Sequence, residues 1–416
     1  MKVLLIIEQC HPEMSSVPFL GYKLYRALGA VADVTLATHG RNKEALLKLH
    51  PDADIVFFPE SRASTYYYRF LESFLTRGAT RWPLFHTLLY PIYAEFNHAV
   101  YKHFSESVAR GNFDLVHAFT PIIPRYPVKI ASVCKSTPFF LGPVNGGIPF
   151  PPGFSEVAKK EHQGFQALKR FAKYLPGYKT TYHNSKVVWV GSDYTLQALK
   201  VIFPESNLVK LSENGVDDEY FSLRREAKNG CRALFVGRLE PVKCVDILIN
   251  ALQLMPEKIC LTIVGDGSER KQLEALVHKL HLEDFVQFTG WVPHNQLLPH
   301  YESADIFCFP SVKDFGGAVI LEAMAAGLPI VGVNYGGVGE YADSSCGILL
   351  SATDPQTLAA DFSSAMEELT FNPSRRLKMG ECARQRAKAF SWSAKANDIL
   401  DTYNEFIAKE GHSCSS

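Results

Sequence analysis

The sequence has no excess of charge of either sign. Its 416 residues include 43 Lys and Arg against 43 Asp and Glu, so the formal net charge is zero. A protein that captures nucleic acid through the phosphate backbone needs a basic surface, and this balance argues against such a partner. Any anion that the protein binds must therefore be met by a local group of residues.

Closely spaced cysteines are also missing. The nine Cys residues are odd in number and far apart, with no C-x-x-C pair and no Cys and His cluster at metal-binding spacing. We therefore expect free thiols in a reducing cytoplasm and no metal site.

Long apolar runs are absent as well, since no stretch approaches the roughly 18 residues that a membrane-spanning helix needs. The apolar start at residues 1–7 is interrupted by Glu8 and lacks a small-residue cleavage site, which favours a buried strand over a secretion signal. These absences predict a cytoplasmic protein, either soluble or peripheral on the inner face of the cell membrane.

What is present is an alternation of short apolar runs with longer helical patterns. Strands that are apolar on both faces and separated by helices indicate a parallel sheet covered on both sides. The length suits two cores rather than one, so we predict an α/β protein with two Rossmann-like, doubly wound domains. The predicted strands are residues 3–7, 34–37, 55–58, 115–117, 187–190, 233–236, 261–264, 286–288, 306–309 and 330–333.

The series of strands begins again near residue 230. Residues 214–230 are turn-rich and charged, with no apolar period long enough for a core element, and they predict a linker. We assign residues 1–222 to an N-terminal domain and residues 223–390 to a C-terminal domain. Residues 391–416 are expected to form a closing helix that packs back on the N-terminal domain, followed by a tail.

The most informative stretch is residues 310–329, where an apolar strand passes through Gly316 and Gly317 into a helix. The free amides of a first helical turn form an anion site, and glycines let a phosphate approach the backbone. Asp314 and Glu322 add carboxylates at the same end, and carboxylates suit the paired hydroxyls of a sugar or ribose. A Gly-Gly pair without these acids would indicate an ordinary turn.

Positive charge comes from a second strand exit. Gly237 ends a strand, and Arg238 and Lys243 follow in the loop at the carboxyl edge of the sheet, where open α/β folds bind ligands. A guanidinium fork and a mobile ammonium can together neutralise a diphosphate without a metal ion. Two basic loop residues alone are more often solvated surface.

In their order and spacing, the motifs of the second half resemble glycosyltransferase family 4, the retaining group 1 family with the GT-B fold. In that family two Rossmann-like domains face each other across a cleft, with the sugar nucleotide held by the second domain and the acceptor mainly by the first. The resemblance covers roughly residues 230–407 and is weaker before them. Its motifs are Gly237-Arg238-x4-Lys243, Gly265-Asp266-Gly267, Phe288-Thr289-Gly290, Ala304-Asp305 and Asp314-x7-Glu322.

The resemblance implies a role for each matching residue. Arg238 and Lys243 would bind the donor diphosphate and stabilise the departing phosphate. Asp314 stands where the family usually has a Glu that contacts the transferred sugar, and Glu322 would hold the ribose. The other implied donor-site residues are Gly237, Gly265, Gly267, Phe315, Gly316 and Gly317.

The first half offers acceptor-side candidates. Residues 114–121 resemble the family's D-x-V-H-x-H segment and keep His117, with Phe119 at the second His position. His117 is therefore either a catalytic and acceptor-binding residue or a histidine of the core. Residues 141–147 resemble a G-P-x-x-G-G signature, which favours an acceptor loop over a simple turn. Its acceptor candidates are Asn145, Gly146 and Gly147.

Two segments rich in aromatic and basic residues, 61–105 and 165–175, interrupt the alternation of strands and helices. Their aromatic side chains either belong to the core of an enlarged first domain or form a surface for an anionic membrane. The first reading suits a small soluble acceptor, and the second suits a glycan or lipid-linked acceptor.

The implied function is a retaining, metal-independent hexosyltransferase that needs no cofactor and uses a nucleoside diphosphate sugar, in polysaccharide or glycolipid biosynthesis. No first-half carboxylate stands at a strand end as an obvious nucleophile, so a double displacement has no clear candidate. The resemblance implies instead a front-face reaction in which the departing phosphate oxygen accepts the acceptor's proton. The alternative is a non-catalytic protein of the same fold that binds sugar nucleotides or glycans. The Asp314-x7-Glu322 motif argues against an epimerase.

Overall fold

The computed structural model describes residues 1–14, 16–75, 88–119, 126–161, 173–204, 206–226 and 230–413. The chain forms two compact units. The N-terminal unit consists of Met1–Gly147, His162–Glu213 and Trp392–Ser416, and the C-terminal unit consists of Ile148–Glu161 and Asn214–Ser391. A short piece of the first half, residues 148–161, is thus part of the C-terminal unit.

Each unit is built on one parallel sheet. The N-terminal sheet has the strand order β3-β2-β1-β4-β5-β6-β7, and the C-terminal sheet has the order β10-β9-β8-β11-β12-β13. The strands are β1 (Lys2–Ile6), β2 (Asp33–His39), β3 (Ile55–Phe58), β4 (Leu115–Ala118), β5 (Phe139–Val144), β6 (Ser185–Val190), β7 (Leu208–Lys210), β8 (Arg232–Val236), β9 (Cys260–Val264), β10 (Val286–Gly290), β11 (Ile306–Phe309), β12 (Ile330–Val333) and β13 (Gly347–Leu350).

Helices connect the strands, as crossovers between parallel strands require. No helix in the described part of the chain combines the length and the apolar character needed to span a bilayer. The helices are α1 (Val17–Gly29), α2 (Lys43–Leu49), α3 (Arg62–Leu75), α4 (Tyr90–Ala109), α5 (Ser155–Lys160), α6 (Tyr178–His183), α7 (Asp193–Ile202), α8 (Val245–Leu254), α9 (Arg270–Lys279), α10 (Leu298–Ser303), α11 (Ala318–Ala325), α12 (Gly337–Tyr341), α13 (Pro355–Phe371), α14 (Pro373–Ala387) and α15 (Trp392–Ser413).

The central strands are buried on both faces, which explains their continuous apolar sequences. All residues of β11 and β12 are buried, as are the last four of β1 and of β8. The predicted α/β class, with two parallel Rossmann-like sheets, is confirmed. The cysteines that the structure describes are free thiols.

Helix α15 packs against α1 in the N-terminal unit. Its residues Ala396, Ile399 and Tyr403 are buried in the same hydrophobic cluster as Phe140 of the sheet. The spacing of three and four residues places them on one side of the helix, which is why the periodic pattern in the sequence was informative.

The segment predicted to be a linker differs from the expectation. Val216, Tyr220 and Leu223 are buried in the core of the C-terminal unit. The Arg225 guanidinium donates to the backbone carbonyls of Tyr301, Glu302, Ala304 and Ala326. The expectation of no core element was wrong because single anchoring side chains in an irregular segment produce no periodic pattern.

Candidate functional site

Parallel strands all end at one edge of a sheet, and the C-terminal unit gathers the predicted donor-site residues at that edge. Gly237 and Arg238 follow β8, and Gly265 and Gly267 follow β9. The Asp314 loop and the following glycines connect β11 to α11. Residues that lie about 80 positions apart in the sequence are thus brought together by the sheet topology.

Two of these glycines are required by close packing of the backbone. A Cβ atom on Gly265, which has a φ of 137°, would lie 1.9 Å from the carbonyl oxygen of Gly237. A Cβ atom on Gly267 would lie 2.4 Å from the carbonyl oxygen of Leu239. These glycines therefore let the strand exits of β8 and β9 pack against each other, which sets the position of Arg238.

Asp314 is bound by two of the groups that were predicted to hold a phosphate. Its carboxylate forms an ion pair with the Lys243 ammonium and accepts a hydrogen bond from the Gly317 amide at 3.2 Å. Gly317 lies just before α11 with a left-handed φ of 54°. The Lys243 ammonium also lies 5.0 Å from the centre of the Phe309 ring, a cation–π distance.

Glu322 is buried inside α11, with 4% of its surface exposed. Its Oε2 accepts a hydrogen bond from the Tyr301 hydroxyl at 2.7 Å, and its Oε1 lies 3.1 Å from Nε2 of His294. A buried carboxylate is costly without such partners, so these two contacts hold its charge in place.

One charged residue at this edge was missed by the sequence analysis. Glu161, which ends the segment 148–161, accepts a hydrogen bond from the Val242 amide at 3.4 Å. Burial raises the pKa of Glu161 above its usual value. The Val242 amide and the nearby Lys313 and Arg238 charges offset part of this rise. No signal in the sequence links Glu161 to this site, because the contact depends on a chain crossover that local patterns do not record.

Sequence comparison places this edge in a known family. A profile described as glycosyl transferases group 1 matches residues 218–386, the region that contains all the strand exits of the C-terminal unit described above. The chain carries a group 1 glycosyltransferase domain.

The curated relatives that match this chain are named as glycosyltransferases. The D-inositol 3-phosphate glycosyltransferase of Corynebacterium kroppenstedtii is 31% identical over 228 residues, covering 51% of this chain and 49% of the relative. The D-inositol 3-phosphate glycosyltransferase 2 of Catenulispora acidiphila is 34% identical over 187 residues, covering 42% and 43% of the two chains. This chain therefore spans about half the length of the curated relatives it matches.

A solved structure extends the likeness over both units. HepE from Anabaena, crystallised in complex with UDP, aligns with a TM-score of 0.66 and 18% identity over 97% of this chain and 100% of that chain. Such a low identity shows the fold alone. Together with the two parallel sheets, it confirms the predicted α/β GT-B fold.

The glycosyltransferase domain contains no evident metal site in its described residues. Nowhere in the described ranges of the chain do three His, Cys, Asp or Glu side chains come together as metal ligands. Cys244, which follows Lys243, is buried and adopts a left-handed φ of 50°. Its thiol lies 3.4 Å from the Pro241 carbonyl oxygen, so it packs within its own loop.

The acceptor-side candidate His117 lies in the core of the N-terminal unit. The Gly142 carbonyl oxygen is 2.7 Å from Nε2, and the Tyr403 hydroxyl is 2.5 Å from Nδ1. Since a carbonyl only accepts, Nε2 carries the proton and Nδ1 accepts from Tyr403, as a neutral ring requires. Burial lowers the pKa of His117 to about 4. This placement favours the core alternative over the catalytic one, because the ring is fully buried and both nitrogens are bonded.

The glycine-rich loop after β5 is mostly buried. The Asn145 amide nitrogen donates to both carboxylate oxygens of Glu213, at 2.8 and 3.0 Å. Its amide oxygen accepts from Ser192, Thr195 and the Gly146 backbone. Asn145 and Gly146 are buried, while Gly147 is exposed with a φ of 90°. An acceptor would therefore meet the backbone at Gly147 rather than the Asn145 side chain.

The two aromatic segments divide between the core and the surface. Tyr93 and Phe96 of α4 are buried, as the core alternative predicts. Helix α3 instead exposes Tyr66, Phe70 and Phe74, with 71%, 59% and 70% of their surfaces accessible. Residues 76–87 and 162–172, which include several basic residues of these two segments, lie outside the described ranges.

We expect His117→Gln to destabilise the protein most at neutral pH. The folded pKa of about 4 lies below the usual value of 6.5, so the contribution of His117 is complete above about pH 6.5 and is lost as the pH falls towards 4. The variant should lose about 2 kcal/mol of unfolding free energy in urea at pH 7.5, and a clearly smaller amount at pH 5.

The exposed His278→Gln variant is the matched control, since the His278 side chain is 82% accessible. Its unfolding free energy should stay within about 0.5 kcal/mol of the parent at both pH values. A His117→Gln loss that is equal at the two pH values would contradict the neutral, buried assignment.

Proposed function

We propose that the protein is a retaining, metal-independent glycosyltransferase that moves a hexosyl group from a nucleoside diphosphate sugar to an acceptor hydroxyl. The observation that supports this most is the convergence of Lys243, Asp314, the Gly317 amide and Glu322 at one sheet edge. Cations and amides for a diphosphate stand beside carboxylates for hydroxyl groups, which is the set that a sugar nucleotide requires.

In the proposed reaction, the bond between the sugar C1 and the diphosphate oxygen breaks. The acceptor oxygen forms a new bond to C1 on the same face, and its proton goes to the departing phosphate oxygen. Lys243, Arg238 and the amide at the start of α11 stabilise the negative charge that grows on that oxygen. The configuration at C1 is retained because both oxygens use one face.

The support for metal independence is the local positive charge. In many sugar-transfer sites a divalent ion would neutralise the diphosphate, and here Arg238 and Lys243 supply two cations at the same edge. Arg238 is exposed, so its guanidinium is accessible to a ligand. The non-catalytic alternative would use the same donor residues, and the transfer assay separates it from the enzyme.

For the acceptor we propose a glycan or lipid-linked hydroxyl reached at an anionic membrane surface. The support is the outer side of α3, where Tyr66, Phe70 and Phe74 recur every four residues and share one side of the helix. Arg62 and Arg69 are exposed on that helix, about 80° and 100° from Phe70 around the axis, and the exposed Glu72 lies about 160° from Phe70. Aromatic rings with basic neighbours suit the headgroup region of an anionic bilayer.

A small soluble acceptor is the second candidate. The curated relatives are named for D-inositol 3-phosphate, and a free phosphorylated cyclitol needs no membrane. Since the chain spans only about half of those relatives, their acceptor is carried over here only as a proposal.

We expect Arg238→Ala and Lys243→Ala each to weaken nucleotide-sugar binding by about ten- to a hundredfold, because each removes a charge-assisted contact. Calorimetry with a panel of nucleoside diphosphate sugars measures this. Transfer by the parent should persist in EDTA. The control is Lys279→Ala, which removes an exposed lysine at the far end of α9. Parent-like binding by both test variants, or full loss of transfer in EDTA, would contradict the proposal.

We expect the protein to bind vesicles of anionic phospholipid at low salt, and binding should weaken as salt rises. Changing Tyr66, Phe70 and Phe74 together to Ser should reduce sedimentation with the vesicles several-fold, because the buried aromatic area is lost. The control is Val201→Ser, which removes an exposed apolar side chain from α7. Equal sedimentation of the parent and the triple variant, or no binding by either, would favour the small soluble acceptor.

A further inference from the structure

We propose that Tyr301 and His294 are positioning residues that orient the Glu322 carboxylate, and that they thereby make the nucleotide site select ribose over 2′-deoxyribose. The inference rests on the proposed function, in which Glu322 accepts hydrogen bonds from the ribose hydroxyls. It adds two residues, from α10 and from the loop before it, that contact neither the phosphate nor the sugar in that proposal.

The two residues bind different oxygens of one carboxylate. The Tyr301 hydroxyl donates to Oε2 at 2.7 Å, and His294 Nε2 lies 3.1 Å from Oε1. An ionised carboxylate has about four acceptor positions on its two oxygens. Among the described residues one position is taken on each oxygen and one remains on each, so a pair of neighbouring hydroxyls can bind side by side.

Tyr301 is held rigidly in place. It is fully buried, and its ring packs edge-on against Tyr220 at a centroid distance of 5.5 Å. Burial and the nearby Glu322 charge raise the pKa of Tyr301 well above its usual value, so the hydroxyl keeps its proton and remains a donor. The Tyr301 to Glu322 bond therefore holds Oε2, and the torsion of the carboxylate is fixed only when the His294 contact also holds Oε1.

Arg225 connects helix α10, which carries Tyr301, to helix α11, which carries Glu322. The Arg225 guanidinium donates to the Tyr301 carbonyl oxygen in α10 and to the Ala326 carbonyl oxygen at the end of α11. Since Glu322 lies in α11, its backbone is fixed relative to that of Tyr301. Removing the Tyr301 hydroxyl should therefore change the orientation of the Glu322 carboxylate without moving the two helices.

His294 contacts Oε1 of Glu322, and its side chain is partly exposed to solvent. Its side chain is 33% accessible, whereas that of Glu322 is 6% accessible. A carboxylate only accepts, so Nε2 carries the proton and donates whether the ring is neutral or charged. Removing this imidazole frees Oε1 to turn, and the two remaining acceptor positions then no longer match two adjacent hydroxyls.

The test compares ribonucleoside diphosphates with their 2′-deoxy counterparts on the whole chain. Calorimetric dissociation constants are measured for UDP, GDP and ADP and for 2′-deoxy-UDP, 2′-deoxy-GDP and 2′-deoxy-ADP. The parent should prefer the ribo form by about tenfold or more for the base it binds best, because the 2′-hydroxyl meets a charged acceptor. Tyr301→Phe should reduce that preference several-fold, because ribo binding uses both remaining acceptor positions of Glu322 and is weakened more than deoxy binding, which uses one.

Tyr220→Phe is the matched control. The Tyr220 hydroxyl is buried in the same aromatic group but has no hydrogen-bond partner within the ranges that the structure describes. Its removal should leave the ribo preference at the parent value. His294→Ala should lower the preference as Tyr301→Phe does, and because its side chain is partly exposed it decides the question if Tyr301→Phe does not fold.

The outcomes separate the inference from the function on which it rests. If the parent prefers ribo forms but Tyr301→Phe and His294→Ala keep the same ratio, the two residues are merely structural and the inference is overturned. Equal weakening of ribo and deoxy binding by these variants overturns it as well. If the parent binds no nucleoside diphosphate, the proposed function of the site fails together with the inference. If the parent binds both forms equally, the site binds nucleotides but Glu322 does not select the ribose, and the inference alone is overturned.

Discussion

The ion pair between Lys243 and Asp314 is the interaction on which the proposed donor site depends. In the free protein the carboxylate neutralises the lysine and also accepts the Gly317 amide. A diphosphate would use these same two donors, so it would compete with the Asp314 carboxylate for them. Donor binding then exchanges one set of charge-assisted contacts for another, and its affinity reflects the difference between them.

The loop that carries this pair is fixed by contacts between backbones. The Gly337 amide donates to the Asp314 carbonyl oxygen at 2.8 Å, and a Cβ atom on Gly336 would lie 2.2 Å from that oxygen. The exit of β12 is thereby fitted against the exit of β11. Together with the glycines after β8 and β9, these contacts place cations, amides and carboxylates at one edge without long side chains to support them.

Much of the fold could be predicted because buried parallel strands are continuously apolar, and the donor residues because they lie at strand exits. Strands β5, β7 and β13 were not among the predicted strands. The sequence of β5 is interrupted by Gly142 and Pro143, and β7 and β13 are short edge strands with partly exposed residues. Tyr301 and Glu161 were not predicted as site residues, because they reach the site through contacts with segments that are distant in the sequence. The pattern around His117 could not distinguish a site from a core, and its burial against Tyr403 depends on the last helix of the chain.

The most direct test of the account is calorimetric titration of the parent and Asp314→Asn with a nucleoside diphosphate and with the matching nucleotide sugar, alongside an assay of transfer. Removing the carboxylate charge frees Lys243 and the Gly317 amide, so the variant should bind the nucleoside diphosphate several-fold more tightly. Its transfer activity should fall by about a hundredfold or more, because the contact to the transferred sugar is lost. Weaker binding of the nucleoside diphosphate by Asp314→Asn, or unchanged transfer, would contradict the account.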